Sequence, residues 1–298
     1  MKRTKLRAAA LFGRLAPNGR DPSSDYRSPA LRGGSPTSAL GVVVSCAFLL
    51  VALIGPWIAP YSPLQIDLAH EYELPSALHW LGTGDNGVDI LSVLLHGARL
   101  AGVVAFCTVG ASLLIGGSLG TLAGYRGGRT DHLISGACDI VQAFPSIVLN
   151  IAVLALVARP GLPHLVLALI AHGWVLFARL SRAQALILRD VEFVQAARAL
   201  GASEARVLLR HVVPNLIGPL IVQASAALGA AVLAESTLSF LGLGPGAAAS
   251  WGALLDQGSA VLLRFPHVAL IAGGTIAITV FAANRTGDVL RDRLDPRR

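Results

Sequence analysis

Charged side chains are scarce in this chain of 298 residues, because Asp, Glu, Lys and Arg together make up only 14% of it. Ordinary soluble domains contain about 25% charged residues. Apolar residues make up 54% of the chain, and they occur in runs of about twenty, the length that an α-helix needs to cross the hydrocarbon core of a bilayer. The composition therefore excludes an ordinary soluble protein and predicts an integral membrane protein.

Lysine is almost absent and occurs only at Lys2 and Lys5. A Walker A loop needs a Gly-Lys-Ser/Thr sequence to hold the phosphates of a nucleotide, and neither lysine lies in such a sequence. The chain therefore cannot carry this ATP-binding site. We expect no catalytic site and no cofactor held by the chain itself.

Metal-binding and disulfide patterns are also missing. The three cysteines, Cys46, Cys107 and Cys138, all lie in apolar runs without CxxC spacing. None of the eight histidines shows HxxxH or HExxH spacing, which are common arrangements of zinc ligands. The sequence therefore predicts cysteines that are buried as small apolar side chains, no disulfide framework and no metal site.

Positive charge is present in excess, with a formal net charge of +7, and its distribution is informative. Of the 24 Lys and Arg residues, 21 fall in four segments, 1–38, 125–132, 179–214 and 285–298. With six membrane spans these four segments lie on one side of the bilayer, which the positive-inside rule identifies as the cytoplasmic side. This pattern predicts cytoplasmic termini and disfavours nucleic-acid binding.

Six apolar runs predict transmembrane helices, since backbone groups in lipid must be paired within a helix. These runs are 39–58, 100–122, 133–157, 162–180, 216–234 and 268–283. The expected fold is an all-α membrane protein. Residues 1–38, rich in Pro, Gly, Ser and Arg, predict a disordered cytoplasmic tail, followed by a first helix with an external segment (39–96), a transmembrane domain (97–288) and a C-terminal tail (289–298).

The second run contains Gly116, Gly120 and Gly124 at four-residue intervals. This spacing leaves one helix face bare, so that a neighbouring helix can approach closely. Gly116 to Gly120 also matches the GxSxG nucleophile elbow, with Ser118 as the nucleophile, but that motif needs a preceding strand and an Asp/His pair. Helix packing and an intramembrane hydrolase are the two alternatives at this position.

Residues 192–215, between the fourth and fifth runs, predict two short helices joined at Gly201. Glycine supplies a positive φ, and Ser203 is placed to cap the second helix. Ala196 and Ala197 are small enough to leave room for a partner groove, and Pro214 is tolerated where the next helix begins. Taken alone, the segment is also compatible with an amphipathic loop at the lipid headgroups.

This segment resembles the EAA loop of binding-protein-dependent ABC importer permeases, in which Glu-Ala-Ala, three residues, Gly and a later apolar-Pro pair follow one another. Here the matching residues are Gln195-Ala196-Ala197, Gly201 and Val213-Pro214, with Gln in place of Glu. Further stretches resemble the C-type permeases of the dipeptide, oligopeptide and nickel importer family. They include Leu81-Gly82-Thr83, Gly97-Ala98-Arg99, Ala143-Phe144-Pro145, Leu238 to Gly244, Ser250-Trp251-Gly252 and Gly287-Asp288.

The resemblance implies the fold of a type I ABC importer permease in a bacterial inner membrane. It implies a homologous permease as heterodimer partner, two cytoplasmic ATPase subunits that bind ATP and magnesium, and an external solute-binding protein docking on 60–98 and 236–266. The implied cargo is a di- or oligopeptide, with nickel or another small solute as the alternative. The implied contacts to the ATPases lie in a coupling loop, 190–214, and involve Gln195, Ala196, Ala197, Arg198, Gly201, Ala202, Ser203 and Pro214.

Four polar residues lie within the predicted spans or at their ends. Asp139, Gln142 and Asn150 lie in the third, where Pro145 predicts a kink, and Glu235 lies at the outer end of the fifth. Polar groups in a membrane are costly and usually face the helix bundle or a water-filled path. We expect some of the four to line the translocation path or hold a gate, with structural hydrogen bonding between helices as the alternative.

Overall fold

The computed structural model describes residues 36–246 and 249–294, and within these ranges the regular secondary structure is helical. The tail predicted at 1–38 lies outside them except for its last three residues, which begin the first helix. The helices are α1 (Pro36–Ile58), α2 (Ile90–Arg126), α3 (Gly128–Gln142), α4 (Ser146–Ala155), α5 (Leu162–Leu188), α6 (Glu192–Ala199), α7 (Glu204–Val207), α8 (Val213–Phe240), α9 (Trp251–Ala260) and α10 (Pro266–Leu294).

Five of these helices are long and apolar enough to cross a membrane, and α3 with α4 forms a sixth span when the pair is counted as one. The all-α membrane fold is therefore confirmed. The third span is not the continuous helix expected at 133–157, because α3 and α4 meet at an angle of 85°. Pro145 lies at the break; proline has no N–H to donate and disfavours a helical conformation in the residue before it.

Several helices extend well beyond the apolar runs that predicted them. Helix α2 begins at Ile90 rather than at residue 100, because the Asp89 carboxylate accepts a hydrogen bond from the Ser92 N–H at 2.8 Å and caps the helix there. At its other end α2 stops at Gly127, which has a φ of +67°. Helix α10 likewise runs through most of the segment that was predicted to be a C-terminal tail.

Helices α2 and α5 pack against each other at very short backbone distances. A Cβ atom added to Gly116 would lie 2.0 Å from the Trp174 carbonyl oxygen, and one added to Gly120 would lie 2.0 Å from that of Ala178. At Gly124 the corresponding distance to the Arg182 carbonyl oxygen is 2.3 Å. The backbones therefore approach more closely than any side chain would allow, which is the packing that small residues permit in membranes.

Helix α9 lies in the segment that was predicted to be an external insertion, and it packs on α2 through Trp251. The Trp251 Nε1 donates a hydrogen bond to the Leu94 carbonyl oxygen at 2.9 Å, and its ring lies against Gly97, where an added Cβ would be 2.5 Å from Trp251 Cδ1. Helix α1, by contrast, leaves Leu53 and Trp57 largely exposed. Such an apolar surface suits lipid or another membrane-spanning chain. Cys46 and Cys107 are likewise exposed, so the burial expected for the three cysteines is found only at Cys138.

Candidate functional site

The segment between α5 and α8 forms two short helices, α6 and α7, with a turn at Gly201 between them. Gly201 has a φ of +82°, and an added Cβ would meet no atom of the described residues within 4 Å. Glycine is therefore needed here for the backbone conformation and not for space. A large side chain at this position would project into open surroundings.

The start of α7 differs from its sequence-based expectation in one detail. Ser203 occupies the N-cap position, but its side chain makes no capping hydrogen bond. Its backbone carbonyl accepts from the Val207 N–H at 2.9 Å, which begins the helix without help from the hydroxyl. Ser203 therefore leaves its hydroxyl exposed at the surface of the turn.

Helices α7 and α8 are joined by a π-helical segment, Leu208–Val212, which the sequence did not predict. Pro214 follows in the first turn of α8, and the Asn215 side-chain amide donates to the His211 carbonyl oxygen at 2.6 Å. The helix is continuous from Glu204 to Phe240. A displacement of α7 would therefore be passed to α8.

Arg198 connects the two short helices to each other and to the rest of the molecule. Its Nη1 donates to the Arg189 carbonyl oxygen at 3.1 Å, and its guanidinium lies over the Tyr125 ring, 5.3 Å from the centroid. Its Nε is 3.4 Å from a Glu204 carboxylate oxygen, an ion pair without hydrogen-bond geometry. The Tyr125 hydroxyl donates to the same carboxylate, so the end of α2 is attached to this loop.

The surface of the loop divides into a buried and an exposed side. Val194 and Val207 are fully buried with Leu216 of α8. On the other side Gln195, Ala196 and Gly201 are exposed, and the Gln195 amide bends back to donate to the Asp190 carbonyl oxygen at 3.0 Å. Sequence reasoning missed Leu200, which is 89% exposed at the tip of the turn. The sequence signal that could have identified Leu200 was its position as an apolar residue directly before Gly201.

The four polar residues proposed for the translocation path do not form one cluster, since no hydrogen bond joins any two of them in the described part of the chain. Asp139 pairs with Arg179 of α5 at 2.7 Å, and both side chains are exposed. Gln142 is exposed at the end of α3. Asn150 is buried on α4 beyond the break, where its Oδ1 has no hydrogen-bond partner among the described residues.

Glu235 is 1% exposed and is surrounded by serine hydroxyls. It accepts hydrogen bonds from Ser239 at 2.8 Å, from Ser250 at 2.9 Å and from Ser236 at 3.2 Å. Ser250 is also the N-cap of α9, so this carboxylate fastens the end of α8 to the start of α9. The geometry favours structural hydrogen bonding over path lining at Glu235.

Ser118, the candidate nucleophile of the hydrolase alternative, lies inside the continuous helix α2. Its hydroxyl donates to the carbonyl oxygens of Leu114 and Ile115 one turn earlier. A nucleophile elbow is instead a sharp turn between a strand and a helix. The backbone at Ser118 therefore lacks the conformation that this chemistry requires.

Comparison with known proteins identifies families that cover most of the chain. Residues 116–298 match the binding-protein-dependent transport system inner membrane component family, and residues 35–75 match the N-terminal TM domain of oligopeptide transport permease C. The dipeptide transport system permease protein of Alkalihalophilus pseudofirmus is 38% identical over 87% of this chain and 85% of its own length. The oligopeptide transport system permease protein of Bacillus subtilis is 36% identical over the same shares.

Solved structures support the same fold. A chain of the inward-facing MetNI methionine ABC transporter superposes with a TM-score of 0.58 at 18% identity, covering 68% of this chain and 96% of that chain. A chain of an amino acid ABC transporter gives a TM-score of 0.54 at 15% identity, covering 67% and 94%. The resemblance noted from the sequence is thereby confirmed: this chain belongs to the family of inner membrane components of binding-protein-dependent transport systems and is a multi-pass permease subunit of an ABC importer.

Proposed function

We propose that this permease carries di- or oligopeptides into the cell as one half of a heterodimer with a homologous permease chain. Relatives at 36–38% identity are named for dipeptide and oligopeptide transport, which supports the cargo class. An external solute-binding protein delivers the peptide, and two cytoplasmic ATPase subunits bind ATP and magnesium and drive the cycle. The basic loops and both termini face the cytoplasm, in keeping with the positive-inside rule.

The observation that carries the mechanism is the loop 190–214, the coupling loop, with its joint at Gly201. The tip presents Leu200 and small side chains outward, as insertion into a cleft on an ATPase requires. The opposite side is attached to two membrane helices, through Tyr125 to α2 and directly to α8. A partner protein that binds the tip of the loop would therefore move α2 and α8 together.

In this mechanism the coupling loop transmits the state of the ATPases to the permease. Closure of the ATPase dimer on ATP draws the two coupling loops of the heterodimer together, and hydrolysis lets them separate. The continuous helix from Glu204 to Phe240 is about 55 Å long at 1.5 Å per residue, so a shift at one face of the membrane reaches the other. There Glu235 and Ser250 pass it on to α9. ATP binding to the ATPases would thus shift the permease between two conformations from a distance.

We keep Asp139, Gln142 and Asn150 as the candidates for the path. An exposed ion pair between Asp139 and Arg179 is unfavourable against lipid, so this face of α3 and α5 suits a water-filled path or the partner permease. Asn150 stays a candidate because its buried Oδ1 has no hydrogen-bond partner among the described residues, and such a polar group is costly within a membrane. The break at Pro145 places these groups on two differently directed helices.

The cargo is tested by uptake in a strain that lacks this gene, with labelled dipeptide, a longer peptide and nickel ion compared side by side. Loss of peptide uptake with intact nickel uptake is the expected result. Restoration by the wild-type gene on a plasmid is the control. Loss of nickel uptake alone would overturn the peptide assignment, and the coupling mechanism would then apply to another cargo.

A further inference from the structure

The segment between α1 and α2 brings together three side chains that commonly bind metal ions. A ring nitrogen of His70, a ring nitrogen of His79 and a carboxylate oxygen of Glu73 lie within 4.8 Å of one another. The spacing of these residues matches none of the zinc motifs considered above. They meet because the chain turns back on itself. Tyr72, between His70 and Glu73, has a φ of +55°.

We propose that His70, Glu73 and His79 bind a divalent transition-metal ion of the zinc class. Two imidazoles and one carboxylate form a ligand set that zinc sites use, with a water completing four-coordination. The mixture of nitrogen and oxygen donors suits such an ion better than calcium or magnesium, which prefer oxygen ligands alone. The proposal does not depend on which solute the permease carries, because the site lies in the segment before α2 and includes no residue of the proposed translocation path.

Both histidines are held by a carboxylate, as metal-binding histidines usually are. The Nδ1 of His70 is 2.8 Å from Asp67 Oδ2, and the Nδ1 of His79 is 3.0 Å from Asp89 Oδ1. In each ring Nε2 therefore remains for a metal ion. A carboxylate behind the imidazole fixes the orientation of the ring and makes its free nitrogen a stronger ligand.

Glu73 gives an independent indication that a cation belongs here. Its Oε2 is buried and has no hydrogen-bond partner among the described residues. Its backbone N–H donates to Thr83 Oγ1 at 2.8 Å, so the main chain at this position is held in place. A buried carboxylate oxygen without a partner is unfavourable, and coordination to a metal ion would satisfy it.

The scaffold behind the site is rigid and leads directly to the membrane domain. Asp89, which holds His79, also accepts hydrogen bonds from the Ser92 N–H and hydroxyl at 2.8 and 2.7 Å. The Ser92 oxygen in turn accepts from the Tyr61 N–H at 3.1 Å. A metal ion bound here would thus join the segment after α1 to the first turn of α2.

The test uses the purified full-length chain in lipid nanodiscs, carrying an affinity tag without histidine and freed of metal by a chelator. Zinc binding is measured by titration calorimetry, and cobalt is used as a spectroscopic probe of the coordination. We expect one zinc ion per chain in the wild type. The variants His70→Ala and Glu73→Gln each remove one ligand, and we expect zinc binding to weaken by about tenfold or more in each.

Two further variants separate the site from general effects. Asp67→Asn keeps all three ligands and removes only the carboxylate behind His70, so its expected loss is about tenfold to a hundredfold. His132→Ala is the matched control, because His132 is exposed on α3 and, among the described residues, its Nδ1 forms a hydrogen bond only with the Gly128 carbonyl oxygen. Zinc binding should not change in this variant. Melting curves without zinc verify that each variant is folded.

Two outcomes would overturn the proposal. One is a wild-type chain that binds no zinc in the titration. The other is a folded His70→Ala, Glu73→Gln double variant that binds zinc with wild-type affinity and stoichiometry. His79→Ala is not needed for this decision, because the buried position of that side chain makes a folding defect hard to separate from the loss of a ligand.

Discussion

Each end of helix α2 contacts a loop, and the two loops are held in place by different interactions. At its Ile90 end, the loop is a network of buried polar groups: the Asp89 side chain is 2% exposed and is shared by His79 and Ser92. Near its Arg126 end, the helix contacts the coupling loop, whose polar contacts lie near the surface, with the Glu204 side chain 67% exposed. A shift of the first loop would break buried polar interactions. A shift of the second would exchange partly exposed polar contacts for water, which costs less for each contact.

This difference indicates which end of the helix can move. The segment before α2 is built to keep a fixed shape, as a docking surface for another protein requires. In the proposed mechanism the coupling loop is displaced as a unit, because Arg198 holds α6 and α7 together while few buried polar groups hold the loop in place. The N-caps of α2 and α7 show the same contrast, since the Asp89 carboxylate makes capping bonds and the Ser203 hydroxyl makes none.

The largest effect on stability is expected from Asp89→Ala. The change removes the cap of α2 and leaves the buried His79 without its partner, which should lower the free energy of unfolding by about 3 kcal/mol. Thermal unfolding of the purified chain without metal measures it. The control is Glu71→Ala, which removes an exposed carboxylate of the same segment that accepts one hydrogen bond, from the Asn86 N–H at 3.3 Å. Equal melting temperatures for the two variants would contradict the account of a rigid segment.

An intermediate effect is expected from Arg198→Ala, and it should fall on transport more than on stability. The loop loses the contacts to Tyr125, Glu204 and the Arg189 carbonyl oxygen, most of them partly exposed, which is worth about 1 kcal/mol. Uptake should fall because α6 and α7 no longer move as one unit. Arg198→Lys should restore uptake only in part, since an ammonium group lacks the planar set of N–H donors of a guanidinium and stacks less well on tyrosine.

The matched control for this variant is Arg206→Ala. Arg206 is exposed on α7 and forms no side-chain hydrogen bond or ion pair with any residue in the described ranges. Its loss removes the same charge from the same loop without releasing α6 from α7. Uptake that falls equally in both variants would show that the charge matters and that the contacts of Arg198 do not.

The smallest effect is expected from Ser203→Ala. Loss of an N-cap hydroxyl usually costs about 1 kcal/mol, but this hydroxyl makes no capping bond. The melting temperature of the variant should therefore remain that of the wild type. A clear decrease would mean that Ser203 does cap α7 and that the two N-caps are alike.

Much of the fold was accessible from the sequence, and the failures have physical causes. Apolar runs predicted where the chain crosses the membrane, because lipid requires that pattern, but not where each helix ends, because polar caps such as Asp89 decide that. Pro145 predicted a kink, although the 85° break depends on how α3 and α4 pack. The π-helical segment after α7 has no local signature in the sequence.

In the candidate sites, too, some features could be predicted from the sequence and others depend on how the chain folds. Gly201 was recognisable because glycine adopts a positive φ more readily than any other residue. The grouping of His70 with His79 was not, because it depends on the path of the chain through residues such as Tyr72 and Asn86, which adopt positive φ without being glycine. The partners of Glu235 were likewise hidden, since Ser250 is fifteen residues further along the chain.

The central claim, that the Gly201 joint couples ATP hydrolysis to transport, is tested by Gly201→Trp in the complete transporter. The complex of both permeases and both ATPases is reconstituted in liposomes with the solute-binding protein, and ATP hydrolysis and peptide uptake are measured together. Gly128→Trp is the control, because Gly128 also has a positive φ and open surroundings but lies outside the coupling loop.

The account predicts that Gly201→Trp still inserts and assembles, because the side chain projects into open space and the strain of a positive φ stays within the turn. Uptake should fall by about tenfold or more, within the usual range of coupling between distant sites, and hydrolysis should no longer rise when the loaded binding protein is added. Gly128→Trp should retain both activities. Wild-type uptake with normal stimulation of hydrolysis in Gly201→Trp would contradict the assignment of this loop.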